Sequence, residues 1–254
     1  MNKVMEIKKL GKSCTINGSK KILLEDIDLS IEKGQFICVI GSSGCGKTTF
    51  LELLAGFQRP DTGIIFHDNI SVSKPETSRI MIFQDFNQLF PWKTLYDNIM
   101  FPLKKVRKNL SYGKIKELVE NTLEMVSLRD YGSYYPHQLS GGMKQRAAIA
   151  RALALKPEVL LMDEPFGSLD AQIRSQLQGL LLDVWKKTGV TIIFVTHDIQ
   201  EAILLSDRIV MMDKNPGRIM SIIDNDIQRP RNIMDKDFAA LYVKLLNLLD
   251  KGPF

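Results

Sequence analysis

The sequence lacks any apolar run long enough to cross a bilayer. Its long apolar stretches, such as residues 36–40 (FICVI) and 191–195 (TIIFV), fall far below the roughly 20 residues that a transmembrane helix needs. Residues 1–13 carry charges but no apolar core of the kind found in secretion signals. We therefore expect no membrane-spanning segment and no export.

Cysteine is scarce, and neither sign of charge dominates. Cys14, Cys38 and Cys45 are odd in number and lack metal-type spacing, which favours reduced thiols in the cytosol over disulfides. The net charge is +5, and no basic run reaches five or six residues, so solvated surface lysines and arginines are favoured over a nucleic-acid-binding patch. A modest attraction to acidic lipid head groups stays open.

Continuous apolar runs of strand length recur along the chain, and helical patterns separate several of them. Such runs are typical of strands buried on both faces of a mainly parallel sheet, which predicts an α/β core. The runs are 36–40, 64–66 (IIF), 80–83 (IMIF), 159–162 (VLLM), 191–195 and 208–212 (RIVMM). Residues 1–35 are expected to form short strands and turns, with a hairpin at 17–21 (NGSKK).

The strand signal disappears between about residues 85 and 155. Ser111 can cap a helix there, whose apolar face would hold Ile115, Leu118, Val119, Leu123 and Val126. We expect a helical lobe inserted between two core strands. A second stripe at the carboxyl end, stopped by Gly252 and Pro253, indicates a docked terminal helix more than a partner site. Its members are Phe238, Leu241, Tyr242, Leu245, Leu246 and Leu249.

Residues 41–48 (GSSGCGKT) match the phosphate-loop pattern G-x-x-x-x-G-K-[ST] between a predicted strand and a predicted helix. Glycines let successive N–H groups point inward, and the helix terminus favours an anion. Lys47 would reach the β- and γ-phosphates, and the Thr48 hydroxyl would hold Mg²⁺. The nucleotide-binding candidates are Gly41, Ser42, Ser43, Gly44, Cys45, Gly46, Lys47, Thr48 and Thr49.

Polar residues follow three of the apolar runs, where ligands bind in open α/β sheets. Asp163 suits the shell of a Mg²⁺ ion, and Glu164 can take a proton from an attacking water. His197 and Gln84 have similar positions after their own strands. An acidic pair or a lone histidine at a strand end is by itself common on protein surfaces. The phosphate loop in the same chain is what favours a functional role for these residues.

Residues 139–146 (LSGGMKQR) place a serine and two glycines before a second predicted helix. Taken alone, this is a second possible anion nest without an obvious ligand.

Together these motifs resemble the ATP-binding cassette (ABC) ATPases of ABC transporters, and the resemblance runs from about residue 4 to residue 225. The resemblance implies a P-loop α/β core, a mixed sheet with amino-terminal antiparallel strands, and an inserted α-helical subdomain. The implied divisions are a core at 1–84 and 156–225, a helical signature subdomain at 85–155, and a helical tail at 226–254.

The resemblance also implies roles for individual residues. Glu164 would be the general base, His197 the γ-phosphate sensor, and Gln84 a contact to Mg²⁺ and water beside Thr48 and Asp163. Two cassettes would pair head to tail, so that the signature of one closes over ATP bound to the other. The signature residues acting in trans are Ser140, Gly141, Gly142 and Met143, and the D-loop residues are Ser168, Leu169 and Asp170.

Residues 83–99 and 135–146 look most like the importer group for nitrate, sulfonate and taurine. This resemblance implies that the chain pairs with a second copy of itself or with a sister cassette, and that it binds transmembrane permease subunits. It also implies an indirect partnership with an extracytoplasmic solute-binding protein, and a peripheral location on the cytoplasmic face of the membrane. Phe90 and Trp92 would belong to a surface that receives the permease, although a packed loop is the alternative. The competing function is that of a soluble ABC ATPase acting on nucleic acid or the ribosome. A third possible function, that of a catalytically silent scaffold cassette, is disfavoured because the catalytic residues are present.

One feature departs from the family pattern. The family places an aromatic residue before the first hairpin to stack on adenine, but Cys14 aligns with that position and no aromatic residue precedes Phe36. We therefore expect weaker ATP affinity or poorer discrimination among nucleotides than in relatives that carry the aromatic side chain.

Overall fold

In the computed structural model, which describes residues 3–16, 19–85 and 88–250, the chain forms two β-sheets flanked by helices. The strands are β1 (Lys3–Ile16), β2 (Ser19–Glu32), β3 (Phe36–Gly41), β4 (Thr62–His67), β5 (Ile70–Ser71), β6 (Arg79–Ile82), β7 (Val159–Asp163), β8 (Thr191–Thr196), β9 (Arg208–Met212) and β10 (Ile219–Asp224). The helices are α1 (Lys47–Ala55), α2 (Leu95–Val106), α3 (Tyr112–Met125), α4 (Gly141–Ala154), α5 (Ala171–Thr188), α6 (Ile199–Leu205) and α7 (Lys236–Asp250).

The six-stranded core sheet has the strand order β10-β9-β3-β8-β7-β6. All its neighbouring pairs are parallel except β9 with the edge strand β10. Every residue of β3, β7 and β8 is buried, which explains why these strands appear in the sequence as continuous apolar runs. Because the strands run in parallel, the loops that follow β3, β6, β7 and β8 meet at one edge of the sheet.

A separate antiparallel sheet, ordered β2-β1-β4-β5, contains the amino-terminal part of the chain. The expectation of short strands before residue 35 is wrong, since β1 and β2 each span 14 residues and pair along most of their length. The hairpin predicted at 17–21 is confirmed, because β1 and β2 pair antiparallel up to Ile16 with Ser19; residues 17–18 of its turn lie outside the described residues. Residues 64–66, predicted as a buried strand of the parallel sheet, belong here to β4. Ile64 is exposed while Ile65 is buried, because an antiparallel sheet can leave one face in water.

Between β6 and β7 the described chain forms helices α2, α3 and α4 and two short 3-10 turns, Arg129–Tyr131 and Pro136–Gln138. The predicted cap of α3 is confirmed: the Lys114 N–H donates to Ser111 Oγ at 3.4 Å. Ile115, Val119 and Leu123 are buried on the face that packs against α2 and α4.

Helix α7 docks on the core, as its apolar stripe predicts. Phe238 and Leu245 are buried, whereas Leu246 stays exposed at the rim. The helix packs against α6, and Arg231 ties the preceding segment to that helix by donating to the Ser206 carbonyl oxygen at 2.7 Å. The stop signal at Gly252 and Pro253 lies outside the described residues.

Candidate nucleotide site

The phosphate loop connects β3 to α1. Gly46 has φ +95 and caps α1, and a Cβ at this position would lie 2.6 Å from Leu24 Cδ2 on β2. Only glycine relieves both constraints, so the antiparallel sheet and the helix start can approach this closely. The first N–H groups of α1 have no partner within the helix, and such a helix terminus favours an anion.

Lys47 lies inside this loop. Its side chain is buried, and Nζ donates to the carbonyl oxygens of Gly41 at 2.8 Å and Ser42 at 3.2 Å. Cys45 is also buried, and burial raises the pKa of its thiol although the Lys47 ammonium acts in the opposite direction. The loop thus holds the Lys47 ammonium group at its centre beside a buried thiol.

Asp163 and Glu164 stand where β7 ends. Asp163 is only 5% exposed; burial raises the pKa of its carboxyl group, the Glu164 charge raises it further, and the Thr48 hydroxyl and Lys47 oppose the shift. Glu164 has φ +41, a conformation that costs energy for a residue with a side chain. Its N–H donates to the Val195 carbonyl oxygen at 3.0 Å, which fixes this turn against β8.

His197 directly follows β8, and its Nδ1 lies 3.0 Å from Glu164 Oε2. The imidazole is exposed, so the pair faces the open edge of the sheet. Asp198, the next residue along the chain, caps α6 by accepting from the Gln200 N–H at 2.8 Å. The fold therefore brings together the predicted base and the predicted phosphate sensor.

Gln84 lies two residues beyond β6, which pairs with β7, and its side chain is exposed at the same edge. Sequence reasoning missed the residues that support this loop. Gln88 Nε2 donates to the Phe83 carbonyl oxygen at 2.6 Å, and Arg151 of α4 donates to the Gln88 carbonyl oxygen at 2.7 Å. No sequence signal marks a glutamine and an arginine that act through backbone carbonyl groups.

The signature segment begins α4. Ser140 is the cap, and its Oγ accepts from the Met143 N–H at 3.3 Å. Gly141 is exposed, but a Cβ on Gly142 would lie 2.5 Å from Ile173 Cγ2 on α5. Gly142 therefore has a packing role that the anion-nest interpretation did not anticipate.

The D-loop lies next to the signature. Asp170 caps α5 by accepting from the Ile173 N–H at 3.0 Å. A Cβ on Gly141 would lie 3.5 Å from Leu169 Cδ2. Ser168 is exposed. Both segments belong to described parts of the chain, and within these parts no hydrogen bond joins residues 140–143 to residues 41–48.

The donor set at the sheet edge fits a nucleotide with its metal ion. The Thr48 hydroxyl lies beside the buried Asp163 carboxylate, and both are oxygen ligands of the kind that Mg²⁺ prefers. The phosphate loop, buried lysine, acidic pair and histidine at one edge of a parallel sheet define a P-loop nucleotide hydrolase.

The comparisons with known proteins specify the family. Residues 24–167 match the family model described as "ABC transporter". The chain belongs to the ABC transporter family, and it is an ATP-binding ATPase cassette with an α/β core.

Named relatives and solved structures agree. The chain is 42% identical to the nitrate import ATP-binding protein NrtD of Synechococcus elongatus, over 94% of this chain and 89% of that protein. It is 45% identical to the aliphatic sulfonates import ATP-binding protein SsuB of Bacillus thuringiensis, over 91% and 89%.

The dimeric cassette MJ0796 bound to ADP and Pi superposes with a TM-score of 0.77 at 29% identity, over 88% of this chain and all of that chain. The cbiO1 cassette of Clostridium perfringens gives 0.81 at 27% identity, over 96% of both chains. None of the helices in the described segments is both long and apolar enough to span a bilayer.

Proposed function

We propose that this chain is the ATP-hydrolysing subunit of a membrane importer for a small anion or organic solute of the nitrate, sulfonate or taurine type. The observation that carries the catalytic part is the contact between Glu164 and His197 at the edge where Lys47 and Asp163 also lie. The solute class is supported by the similarity to import proteins for nitrate and aliphatic sulfonates.

In the proposed mechanism, Lys47 exchanges its carbonyl contacts for the β- and γ-phosphates. Glu164, held by its strained turn, accepts a proton from the attacking water, and His197 binds the γ-phosphate and orients Glu164. Thr48, Asp163 and Gln84 would hold Mg²⁺, which when bound neutralises phosphate charge. Burial raises the pKa of Asp163 although Lys47 opposes the shift, and a divalent ion bound beside the carboxylate would lower this pKa.

We also propose that a second copy, or a sister cassette, completes each ATP site with Ser140, Gly141, Gly142 and Met143. The exposure of Gly141 and the dimeric form of a similar cassette support this arrangement. Gly141→Val should leave ATP binding by the monomer intact while preventing the ATP-dependent dimer and turnover. Gly113→Val is the matched control, because Gly113 also lies in the first turn of a helix and a Cβ there meets nothing within 4 Å. Normal dimerisation of Gly141→Val would contradict the proposal.

The permease would bind an aromatic surface formed by Phe90, Trp92 and Phe101. Phe90 lies 5.5 Å from Trp92 and 5.3 Å from Phe101 between ring centroids, and Trp92 is 70% exposed. This exposure argues against the packed-loop alternative for Trp92. The surface adjoins a cavity of about 390 Å³ that also contacts Gln88 and Arg151, the residues that hold the Gln84 loop. Movement at this surface can therefore reach the hydrolytic site.

Co-purification from membranes tests the transport assignment. A hydrophobic permease should accompany the chain, and Trp92→Ala should reduce its recovery, while Tyr112→Ala, another exposed aromatic, should not. Recovery with ribosomes or nucleic acid instead would favour the soluble alternative. The relatives are import proteins, which favours transport over that alternative.

The remaining parts of the proposal follow from the importer assignment. A solute-binding protein would deliver the solute to the permease, and the chain would sit peripherally on the cytoplasmic face of the membrane. Residues 1–84 and 156–225 would form the core, 85–155 the signature subdomain, and 226–254 the tail.

A further inference from the structure

A cavity of about 530 Å³ lies at the amino-terminal edge of the core sheet, away from the phosphate loop. It is bounded by α3 and the end of α4 on one side and by the segments that lead into β3, β7 and β8 on the other. The strands between the two edges have five or six residues, so roughly 16 to 20 Å separates the cavity from the phosphate loop.

The cavity has apolar walls and a basic rim. Leu118, Met125, Leu153, Ala154 and Val190 supply hydrocarbon surface. At the rim, Lys33 and Lys156 are exposed cations, and Asn121 is an exposed amide. The one lining carboxylate, Glu158, is directed to a different partner, with Oε2 at 3.3 Å from His67 Nε2.

The walls are fixed by hydrogen bonds before any ligand binds. Trp185 Nε1 donates to the Gly34 carbonyl oxygen at 2.9 Å, and the Gly34 N–H donates to Thr191 Oγ1 at 3.0 Å, which holds the turn that carries Lys33. Lys156 has φ +53, and its N–H donates to the Leu153 carbonyl oxygen at 2.8 Å. Ligand sites are usually preformed cavities of about this size, with apolar walls and a few polar groups.

We propose that this cavity binds a small organic anion with an aliphatic or aromatic body. The body would occupy the apolar walls, and the anionic group would lie between Lys33 and Lys156, with Asn121 donating to it. A ligand here contacts both the helices of residues 95–154 and the core, so it would stabilise their relative placement.

Titration of the full chain with 1-alkanesulfonates, followed by calorimetry, tests the proposal. 1-Hexanesulfonate should bind saturably, and affinity should rise about fourfold with each methylene from butane- to hexanesulfonate. Sulfate lacks the body and 1-hexanol lacks the charge, so both should bind more weakly. The absence of saturable hexanesulfonate binding up to about 10 mM would overturn the proposal.

Variants place the site. Lys33→Ala/Lys156→Ala should weaken hexanesulfonate binding about fivefold or more, and Lys108→Ala/Lys236→Ala, which removes the same charge at exposed positions outside the lining, should not. Asn121→Trp should fill the cavity from its rim and abolish binding without lowering the thermal midpoint of the free protein. Lys47→Ala should bind normally; loss of binding in that variant would assign the anion to the phosphate loop and refute the proposal.

Discussion

The two edges of the core sheet use charge in opposite ways. At the carboxyl-terminal edge, Lys47 contacts loop carbonyl oxygens and a thiol, and Glu164 shares an exposed contact with His197. At the amino-terminal edge, buried Arg79 donates to His67 Nδ1 at 3.1 Å and to the Lys74 carbonyl oxygen at 3.1 Å. The charged groups at the first edge line the phosphate loop and the open edge of the sheet, whereas buried Arg79 and His67 at the second contact one another.

The two edges also differ in what their residues connect. Glu164 holds a left-handed conformation, and Gly46 permits a close approach at the carboxyl-terminal edge. At the opposite edge, Arg79 begins β6 and Glu158 precedes β7, and both join the core sheet to His67 at the end of β4. Substitutions at the first edge should therefore change chemistry, while substitutions in the cluster of His67, Arg79 and Glu158 at the second should change stability.

Replacing Glu164 should cause the largest loss of activity at the carboxyl-terminal edge. Glu164→Gln keeps the shape of the side chain but removes the proton acceptor, so we expect turnover to fall about 10³-fold with ATP binding retained and the ATP-bound dimer trapped. Steady-state ATPase assays and size-exclusion chromatography with ATP measure both effects. Glu158→Gln, at the opposite edge, is the control and should keep its turnover; normal hydrolysis by Glu164→Gln would show that another group is the base.

Replacing Arg79 at the amino-terminal edge should lower the stability of the fold. Arg79→Met keeps the buried hydrocarbon but leaves His67 Nδ1 and the Lys74 carbonyl oxygen without their donor. We expect the free energy of unfolding to fall by about 3 kcal/mol, measured by urea denaturation, with little change in ATP affinity of the folded protein. Exposed Lys108→Met is the control. A large loss of ATP affinity without a loss of stability would erase the distinction between the edges.

His67, at the amino-terminal edge, should make the stability of the fold depend on pH. Burial lowers the pKa of His67, and the adjacent Arg79 charge lowers it further. Below about pH 6.5 the unfolded chain takes up a proton that the folded chain resists, so the stability of the fold should decrease as the pH falls, by at most about 1.4 kcal/mol per pH unit from this group. His67→Gln should flatten this slope between pH 6.5 and 5, and exposed His137→Gln should not. An unchanged slope in His67→Gln would assign the effect to other groups.

A substitution at Cys14 tests whether the nucleotide-binding region extends into the antiparallel sheet. Cys14 is half-buried on β1 opposite Lys21 of β2, beside a cavity of about 350 Å³ that includes Leu24, the residue that contacts Gly46. Cys14→Tyr should tighten ATP binding by about 1 kcal/mol, roughly fivefold, measured as Kd by fluorescence titration. Cys14→Leu adds bulk without an aromatic face and serves as the control. If Tyr brings no gain over Leu, adenine does not stack there.

Local chemistry was sufficient to predict the core strands and the phosphate loop. The runs at β3, β7 and β8 are apolar because both faces of those strands are buried, and the position of Asp163 and His197 follows from parallel strands ending at one edge. Ser111 and the apolar stripe of α3 were equally readable, because a cap and a helical period are properties of a few neighbouring residues.

Features that depend on distant partners were not predictable. The β4 run looked like a parallel core strand, but it pairs with β1, and the apolar pattern of three residues cannot choose between the two sheets. The packing of Gly142 on Ile173, the support of the Gln84 loop by Arg151, and the cluster of His67, Arg79 and Glu158 also left no local signal.

The amino-acid sequence by itself determined the family, the order of the motifs and the candidate ATP-binding residues, because these follow from short patterns with a direct chemical reason. Only the tertiary structure decided that Glu164 meets His197, that Gly142 packs against Ile173, and that an apolar cavity with a basic rim lies at the far edge. Each of these depends on how strands and helices distant in sequence pack together, and packing is a property of the whole chain.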